Sequence, residues 1–487
     1  MSRSYFCWAI LPVLLFSCSE SQNITPKQTQ PSESLQAQSA QIYQVVDSEG
    51  SPIIGAEVLI RGASRSPVQR WTDDNGQFEV PQSRDLKTDV TVLGHLYTPR
   101  TFYGIDPRHR VLTVQTLLSD QLHEVTGDLV DYPEMVDKDN TLHIGVAFPA
   151  PTKLDLLNLD VSKFISPVSV EADLNLGSLR VPTNVNIPRQ KEKYGIFTIK
   201  IKKDAYQIYS SRRGTQRFVG FQVQAPFKQM VRAAQRKEDP LDIVNLLKAA
   251  SFGWTDIDVQ EAQTTQNISL GQDQADQPYT LSVPSFDEGL MFVSLSALQS
   301  EQYLIPMDFR IGKSAEAIQL HHNNSDNQWN ISVLRPNDIA DSGITEQTSQ
   351  ASQQASIAMT PITEQVTPLF LPLIKPPTPT ESGDLAITLP ELPNGLQQAG
   401  MSLTLVQVDT LPDNPKIEIT TPLWQGRFNE WSDQFSLPNE IPTMDDEKTY
   451  RWELLIFASP IDTGPVSTFN DNLDLVTHFT RNAYELK

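Results

Sequence analysis

Between about residues 41 and 335 apolar side chains return at every second position in short runs, each closed by Pro, Gly, Asn or Asp. Phe197, Ile199 and Ile201 alternate with Thr198, Lys200 and Lys202, and Val219, Phe221 and Val223 repeat the pattern. Period two is the spacing of a strand with one buried face, so the chain calls for sheets rather than amphipathic helices. One stretch departs from it. Asp239-Pro240 offers an N-cap and a first-turn proline, Leu241 to Phe252 carries Leu, Ile and Val at helical spacing, and Gly253 can end the helix. A second short helix is expected from Phe227 to Arg236. The expected fold class is mainly β: several β-sandwich domains in series, with one short helical insertion near 227–252.

The most specific pattern lies in residues 41–119. Gln44 to Ile60 reads as strand, tight turn, strand, and Trp71-Thr72-Asp73-Asp74-Asn75-Gly76-Gln77-Phe78-Glu79-Val80 repeats the device. Asn75-Gly76 suits a two-residue hairpin, which would send Phe78 and Val80 to one face and Gln77 and Glu79 to the other. The pattern resembles the carboxypeptidase regulatory-like domain, a transthyretin-like β-sandwich. Its recurrent positions match here at Asp47, Gly50, Pro52, Ile53, Gly55, Ala56 and Val58, then at Thr72, Asp73, Gly76 and Phe78. These specify turns and core rather than chemistry, so the resemblance implies a fold and no peptidase activity. In the last hundred residues Leu403, Leu405 and Gln407 alternate with Thr404 and Val406, and Leu454-Leu455-Ile456-Phe457 reads as a buried strand. That patterning suits an immunoglobulin-like sandwich.

The first residues carry a different signal. Met1-Ser2-Arg3-Ser4 is followed by an almost wholly apolar run from Tyr5 to Phe16, then by Ser17-Cys18-Ser19-Glu20. One basic residue, an apolar run too short for the roughly 20 residues of a spanning helix, and a small residue before a cleavage point make a secretory signal peptide. Leu15-Phe16-Ser17-Cys18 resembles the lipobox of bacterial lipoprotein precursors. The resemblance implies cleavage between Ser17 and Cys18, a diacylglycerol on the Cys18 thiol, and a further acyl chain such as palmitate on the new amino group. Cys7 and Cys18 are the two cysteines of the chain, and Cys7 would leave with the signal. A lone cysteine at the cleavage point cannot form an internal disulfide, which fits lipidation. Ser19 in place of Asp favours the outer membrane within that family, with the lipid bilayer as first partner through acylated Cys18.

The net charge of −21 sets the chain apart from nucleic-acid binders and from proteins held on anionic lipid by charge. Residues 19–40, rich in Ser, Gln, Thr and Pro, form a tether of roughly 25 Å. A second such stretch covers 341–384, and its Leu369 to Ile374 is apolar enough to lie along a neighbouring domain. The boundaries expected are a signal peptide at 1–17, lipidated cysteine and tether at 18–40, a regulatory-like sandwich at 41–119, and a β-rich middle region with the helical segment at 120–340. A linker at 341–384, Ser/Gln/Thr-rich and then Pro-rich, leads to a C-terminal sandwich at 385–487.

Catalytic chemistry leaves no motif. The seven histidines make neither H-E-x-x-H nor H-x-x-E, and no nucleophile elbow, P-loop or dinucleotide fingerprint occurs. His123 and Glu124 are adjacent, which in a strand sends them to opposite faces. His321-His322 falls in the polar stretch Leu320 to Trp329 and reads as part of a solvated loop. Asp137-Lys138-Asp139-Asn140 has oxygens spaced for Ca²⁺ but lacks the Gly and distal Glu of an EF-hand loop, and a hairpin turn is the plainer reading. Asp445-Asp446-Glu447 is likewise an acidic turn. No catalytic residue, metal or cofactor is expected.

Trp424, Phe428, Trp431 and Phe435 lie close together. Trp424 and Trp431 would form a ligand platform if exposed, and core if buried. Three functions follow. The first is a non-catalytic envelope lipoprotein, structural or protein-binding, shown from a membrane by its lipid. The second is a carbohydrate- or peptidoglycan-binding lipoprotein using the aromatic cluster, and the third a hydrolase whose scattered carboxylates make no motif.

Overall fold

Two glycine turns organise the N-terminal part. Gly50 (φ +84°) closes the turn after the strand Gln41–Val46, where Asp47 accepts backbone hydrogen bonds from Ser51 at its carboxylate and from Gly50 at its carbonyl. Gly76 (φ +71°) closes the second turn, where the Asp73 carboxylate accepts from the N–H groups of Asn75 and Gln77. A Cβ at Gly76 would stand 2.7 Å from the Val45 carbonyl oxygen, so both the dihedral and the space require glycine. Thr72 ties the two segments together, its buried hydroxyl donating to the Ile53 carbonyl and accepting from the Ala56 N–H.

The structure is a computed structural model that describes residues 40–486 apart from breaks, the longest at 132–140, 154–173 and 338–353. In the N-terminal part, Gln77–Val80, Gln41–Val46 and Val111–Thr113 form one sheet. Arg100–Ile105, Thr88–Leu93, Glu57–Arg61 and Val68–Trp71 run side by side in a second. Tyr43, Val45, Val58, Val90, Phe102 and Leu112 fill the space between them. Phe78 and Val80 are buried and Glu79 exposed, as the alternation requires. The two-residue hairpin expected at Asn75-Gly76 is not formed. Gly76 alone of the pair has positive φ, and the strands on either side, Val68–Trp71 and Gln77–Val80, belong to different sheets. The Asp73 carboxylate takes backbone donors that a hairpin ladder would have paired, and the chain turns a corner instead.

The second sheet continues past the module. Arg100–Ile105 pairs in parallel with Asn414–Phe428, from Gln425↔Arg100 to Phe428↔Tyr103. Beyond it lie Leu396–Leu411, Thr449–Pro460, His478–Leu486, Ala355–Pro361, Gln328–Pro336, Leu290–Ser300 and Tyr303–Gly312, twelve strands in all. The protein is mainly β with several sheets, and its regions are joined by backbone hydrogen bonds rather than strung on linkers; residues Ala40–Lys487 make one compact unit. The immunoglobulin-like sandwich expected over 385–487 is therefore not a separate two-sheet body, because its four long strands are neighbours in this one sheet. Both faces of the sheet are buried there: Leu454, Ile456 and Ala458 enter one cluster, Leu455 and Phe457 the other. Burial on both sides is why that strand reads as a continuous apolar run.

The linker expected over 341–384 is overturned in its described part. Ala355–Pro361 is an interior strand, with Gln328–Pro336 on one side and His478–Leu486 on the other. Ala355, Ile357 and Met359 share a cluster with Phe457, a period-two signal inside a linker-like composition. The proline-rich part lies along the sheet, as its apolar residues suggest. Leu371 and Ile374 are buried, and their carbonyls accept from the Ser356 hydroxyl (2.7 Å) and the Asn482 amide (2.7 Å).

In the middle region Phe197–Lys203, Val185–Tyr194, Thr141–Pro149, Gly214–Pro226 and Lys248–Val259 form a five-stranded sheet. The helical insertion is present as two short helices, Phe227–Gln235 and Pro240–Val244. The helix expected over Leu241 to Phe252 stops at Val244, and Lys248–Val259 is a strand paired with Gly214–Pro226. Gly253, read as a helix stop, sits mid-strand where a Cβ would come within 1.8 Å of the Ser269 carbonyl oxygen. Sheet pairing and this close approach override the helical spacing.

Candidate functional site

Ser17 and Cys18 lie outside the described residues, as do Asp137 to Asn140. The other expected sites can be placed. Trp424 is 0% exposed, donates from Nε1 to the Thr101 hydroxyl (3.0 Å) and meets Trp452 edge-on. Trp431 is 8% exposed, and its Nε1 donates to the Phe457 carbonyl (2.8 Å). Phe428 stacks on Tyr103 with ring centres 4.2 Å apart. The ligand platform expected of Trp424 and Trp431 is thus not formed. Both indoles sit in the core where the N-terminal and C-terminal strands join, and both N–H groups are used there.

His321 is not in a solvated loop. It is the penultimate residue of the strand Ala317–His322, and its Nδ1 and backbone N lie 3.0 Å from the carboxylate of Asp308, which is buried. Asp308 also accepts from Arg310 (3.0 Å) and from the Phe309 N–H (2.8 Å), so its two oxygens are fully engaged. This carboxylate pins two neighbouring strands rather than poising a base. His123 is buried and Glu124 half-buried on opposite faces of the strand His123–Gly127. Glu124 accepts from the Gln207 amide.

Two further polar groupings span strands. Arg217 forms a fork with the Asp256 carboxylate (2.7 and 2.9 Å), donates to the Ser300 hydroxyl (2.8 Å) and lies over the Tyr303 ring. The hydrogen bond from Arg217 holds the Asp256 carboxyl below its usual range, and the same bond raises the guanidinium. The grouping bolts the five-stranded sheet to the Leu290–Ser300/Tyr303–Gly312 hairpin of the larger one. Ser251 donates to Gln222 (2.6 Å), whose amide meets His143 Nδ1 (2.9 Å). The serine proton is directed at an amide oxygen and not at the imidazole, so the row has no nucleophile–base contact.

Burial pushes the Tyr103 and Tyr206 hydroxyls up, and as neutral donors they bond the Ser436 and Gln266 carbonyls. Asp445 and Glu447 form a self-closed turn, with the Glu447 N–H donating to the Asp445 carboxylate. No cluster of three or more metal-ligating side chains occurs among the described residues. A cleft of about 250 Å³ beside Asp242, Asn245, Asp287, Glu288 and Lys313 has part of its polar lining tied down. Lys313 pairs with Asp242 (2.7 Å), and Asn245 exchanges two hydrogen bonds with the Ile311 backbone.

The candidate site that remains is an edge. Among the described residues Val68–Trp71 is the last strand of the twelve-stranded sheet and pairs only with Glu57–Arg61, and all four of its residues are exposed, Trp71 at 58%. The opposite edge, Tyr303–Gly312, is covered, since Ile305 and Met307 pack against Phe221 and Phe252. An uncovered edge strand is a template for another strand. Sequence reading missed it, yet a signal exists: in Val68-Gln69-Arg70-Trp71 the apolar residues sit three apart, so neither strand face is apolar.

No family model and no curated protein matches the chain. Among solved structures, the TIE protein of Bacillus anthracis is 7% identical with a TM-score of 0.16, the alignment covering 67% of this chain and 48% of that one. BcpA, the major pilin subunit of Bacillus cereus, is 8% identical over 80% of this chain and 99% of its own, at a TM-score of 0.15. The pilus adhesin SpaC of Lactobacillus rhamnosus GG is 8% identical over 74% of this chain and 41% of its own, also at 0.15. The chain spans about half the length of the TIE protein. Likeness at this level carries no argument for what this chain does. No helix among the described residues is long and apolar enough to cross a membrane.

Proposed function

We propose that the chain is a non-catalytic lipoprotein of a bacterial envelope, cleaved after Ser17, acylated on Cys18 and held on the outer membrane. Its β-body presents a surface to another envelope protein. The observation that carries the anchor is Cys18 itself, which follows a short apolar run and is the only cysteine after the cleavage point. Two or three acyl chains hold a protein stably where one is marginal. Cys18→Ala, or inhibition of the lipoprotein signal peptidase with globomycin, should move the protein out of the membrane fraction or leave a larger precursor. Unchanged size and fractionation in both experiments would defeat the anchor.

The contact surface in this reading is the edge strand Val68–Trp71, to which a partner adds a strand by backbone hydrogen bonds. Lysine at sheet edges discourages such pairing. Val68→Lys with Trp71→Lys should therefore remove co-purifying envelope proteins and leave the fold intact, because both side chains are exposed. Partners recovered in undiminished amount would place the contact elsewhere.

A further inference from the structure

Asn-Gly occurs twice in the chain, at Asn75-Gly76 and at Asn394-Gly395, and each pair stands in a tight turn with positive φ at its glycine (+71° and +91°). The dipeptide carries its own chemistry. With no side chain on the second residue, the glycine nitrogen can reach the asparagine Cγ and close a five-membered ring. Closure requires the peptide unit joining the two residues to rotate and its N–H to give up a proton. The bonds made by that unit therefore decide whether the site reacts.

The unit Asn75–Gly76 is clamped at both ends. Its carbonyl accepts from the Gln44 amide (2.9 Å), and its N–H donates to the Asp73 carbonyl (2.9 Å). The Asp73 carboxylate bonds the N–H groups of Asn75 and Gln77 on either side, which opposes a developing negative charge on the nitrogen between them. Gly76 is also buried. The unit Asn394–Gly395 differs on every count. Both residues are exposed, and among the described residues the Asn394 carbonyl, the Asn394 side chain and the Gly395 N–H have no hydrogen-bond partner. The bonds that close the turn lie to either side, from the Leu396 N–H to the Pro393 carbonyl (3.2 Å) and from the Ile461 N–H to the Gly395 carbonyl (3.0 Å). Positive φ at the third residue makes Pro393 to Leu396 a type II turn. The central peptide of such a turn can flip while the closing bond stays made.

We infer that Asn394 is a site of spontaneous self-modification through a succinimide, and that the fold protects Asn75 from the same reaction. The Gly395 nitrogen gives up its proton to solvent and attacks Cγ of Asn394. A C–N bond forms there, and the side-chain nitrogen leaves as ammonia, taking a proton back. Water then opens the ring at either carbonyl, giving aspartate or isoaspartate. The sum is asparagine and water to aspartate and ammonia, with no other co-reactant. Each event adds a negative charge to a chain of net charge −21. Isoaspartate also lengthens the main chain by a carbon at the entry to Leu396–Leu411, a strand with neighbours on both sides. The inference does not rest on the anchor or on the edge strand.

The test incubates the purified full chain in mildly alkaline water enriched in heavy oxygen, then compares the two peptides by mass spectrometry after digestion in ordinary water. Heavy oxygen is expected at Asn394 and should enter at Asn75 roughly thirtyfold more slowly, the scale of two backbone hydrogen bonds that must open first. In urea that unfolds the chain, the two sites should react at similar rates, since both are Asn-Gly. Gln44→Ala frees one end of the clamp and should speed Asn75 by about fivefold. Asn394→Gln, a change at an exposed position, should end incorporation at residue 394, because the longer side chain closes the ring poorly. Equal incorporation at the two sites of the folded chain overturns the inference. So does a difference that persists unchanged in urea, which would assign it to neighbouring sequence rather than to the fold.

Discussion

The hairpin Leu396–Leu411/Asn414–Phe428 and the hairpin Val185–Tyr194/Phe197–Lys203 are built by the same antiparallel pairing and by sequences that alternate in the same way. The first is flanked by Thr449–Pro460 on one side and Arg100–Ile105 on the other, and Met401, Leu403, Leu405, Trp424 and Phe428 all enter a core. Among the described residues the second pairs with a further strand only at Val185 and Asn186. Alternation makes a strand, but it does not say how many strands lie beside it; that is decided by residues elsewhere in the chain. The buried Trp424 of the first hairpin, bonded to the Thr101 hydroxyl, shows how such neighbours join distant segments.

Trp424→Ala should give the largest effect, about 4 kcal/mol lost, as for other buried large-to-small changes. The indole removed is fully buried and bonds a hydroxyl 323 residues away in sequence, so the N-terminal module should loosen together with the C-terminal strands. Urea unfolding followed by probes in each region checks this. Two transitions instead of one would break the picture of a single continuous sheet.

Acid should act on the wide sheet. His478 opens the strand His478–Leu486 between Ala358 and Ala458, and burial pushes its pKa down to about 4. Unfolded, the same imidazole titrates near 6.5. The unfolded chain therefore takes up this proton first as pH falls. Stability from this group is whole above about pH 6.5, declines between there and about pH 4, and levels off below, by about 3 kcal/mol in total. Carboxylates add their own slope, so the measurement is the difference between parent and His478→Asn across that window. Parallel curves would mean that the imidazole is not held neutral in the sheet.

Arg217→Ala should cost about 2 kcal/mol, the scale of hydrogen bonds to a charged partner. Asp256 keeps partial contact with solvent, so it is not stranded as a fully buried charge would be. Asp256 has its carboxyl lowered by Arg217, which makes this contribution present above the usual carboxylate range and lost as pH falls through the lowered value. The variant should show a shallower acid limb below pH 4 than the parent, in thermal melts at matched salt.

Much of the fold was legible where one physical cause acted alone. Phe78 and Val80, Leu454 to Phe457 and the turn glycines follow from periodicity and from positive φ. The failures share a cause: residues far apart in sequence supplied the deciding contact. Leu241 to Phe252 has helical spacing, but the ladder with Gly214–Pro226 and the Ser269 carbonyl against Gly253 make its second half a strand. Ala355, Ile357 and Met359 looked like part of a linker because their partners, Val333 and Ile331 on one side and Phe479 and Arg481 on the other, are 24 to 28 and 122 to 126 residues away. His321 looked solvated because Asp308, its anchor, belongs to another strand. Trp424 and Trp431 admitted two readings, and only the tertiary fold chose between platform and core. The edge strand Val68–Trp71 was missed because its one signal, the lack of an apolar face, is not a periodicity.

The smallest effect should come from Trp71→Ala, under about 0.5 kcal/mol in urea unfolding, the scale of a surface substitution. The same change at position 424 costs several times more, and intrinsic strand preference cannot account for that ratio, since the residue is the same and both positions lie in strands. Burial differs: Trp71 is exposed on an edge strand, and Trp424 is enclosed between strands. Removal of Trp71 should therefore leave the core, the urea midpoint and the acid limb as they were. A loss of stability comparable to that of Trp424→Ala would mean that the edge Val68–Trp71 is packed against the body.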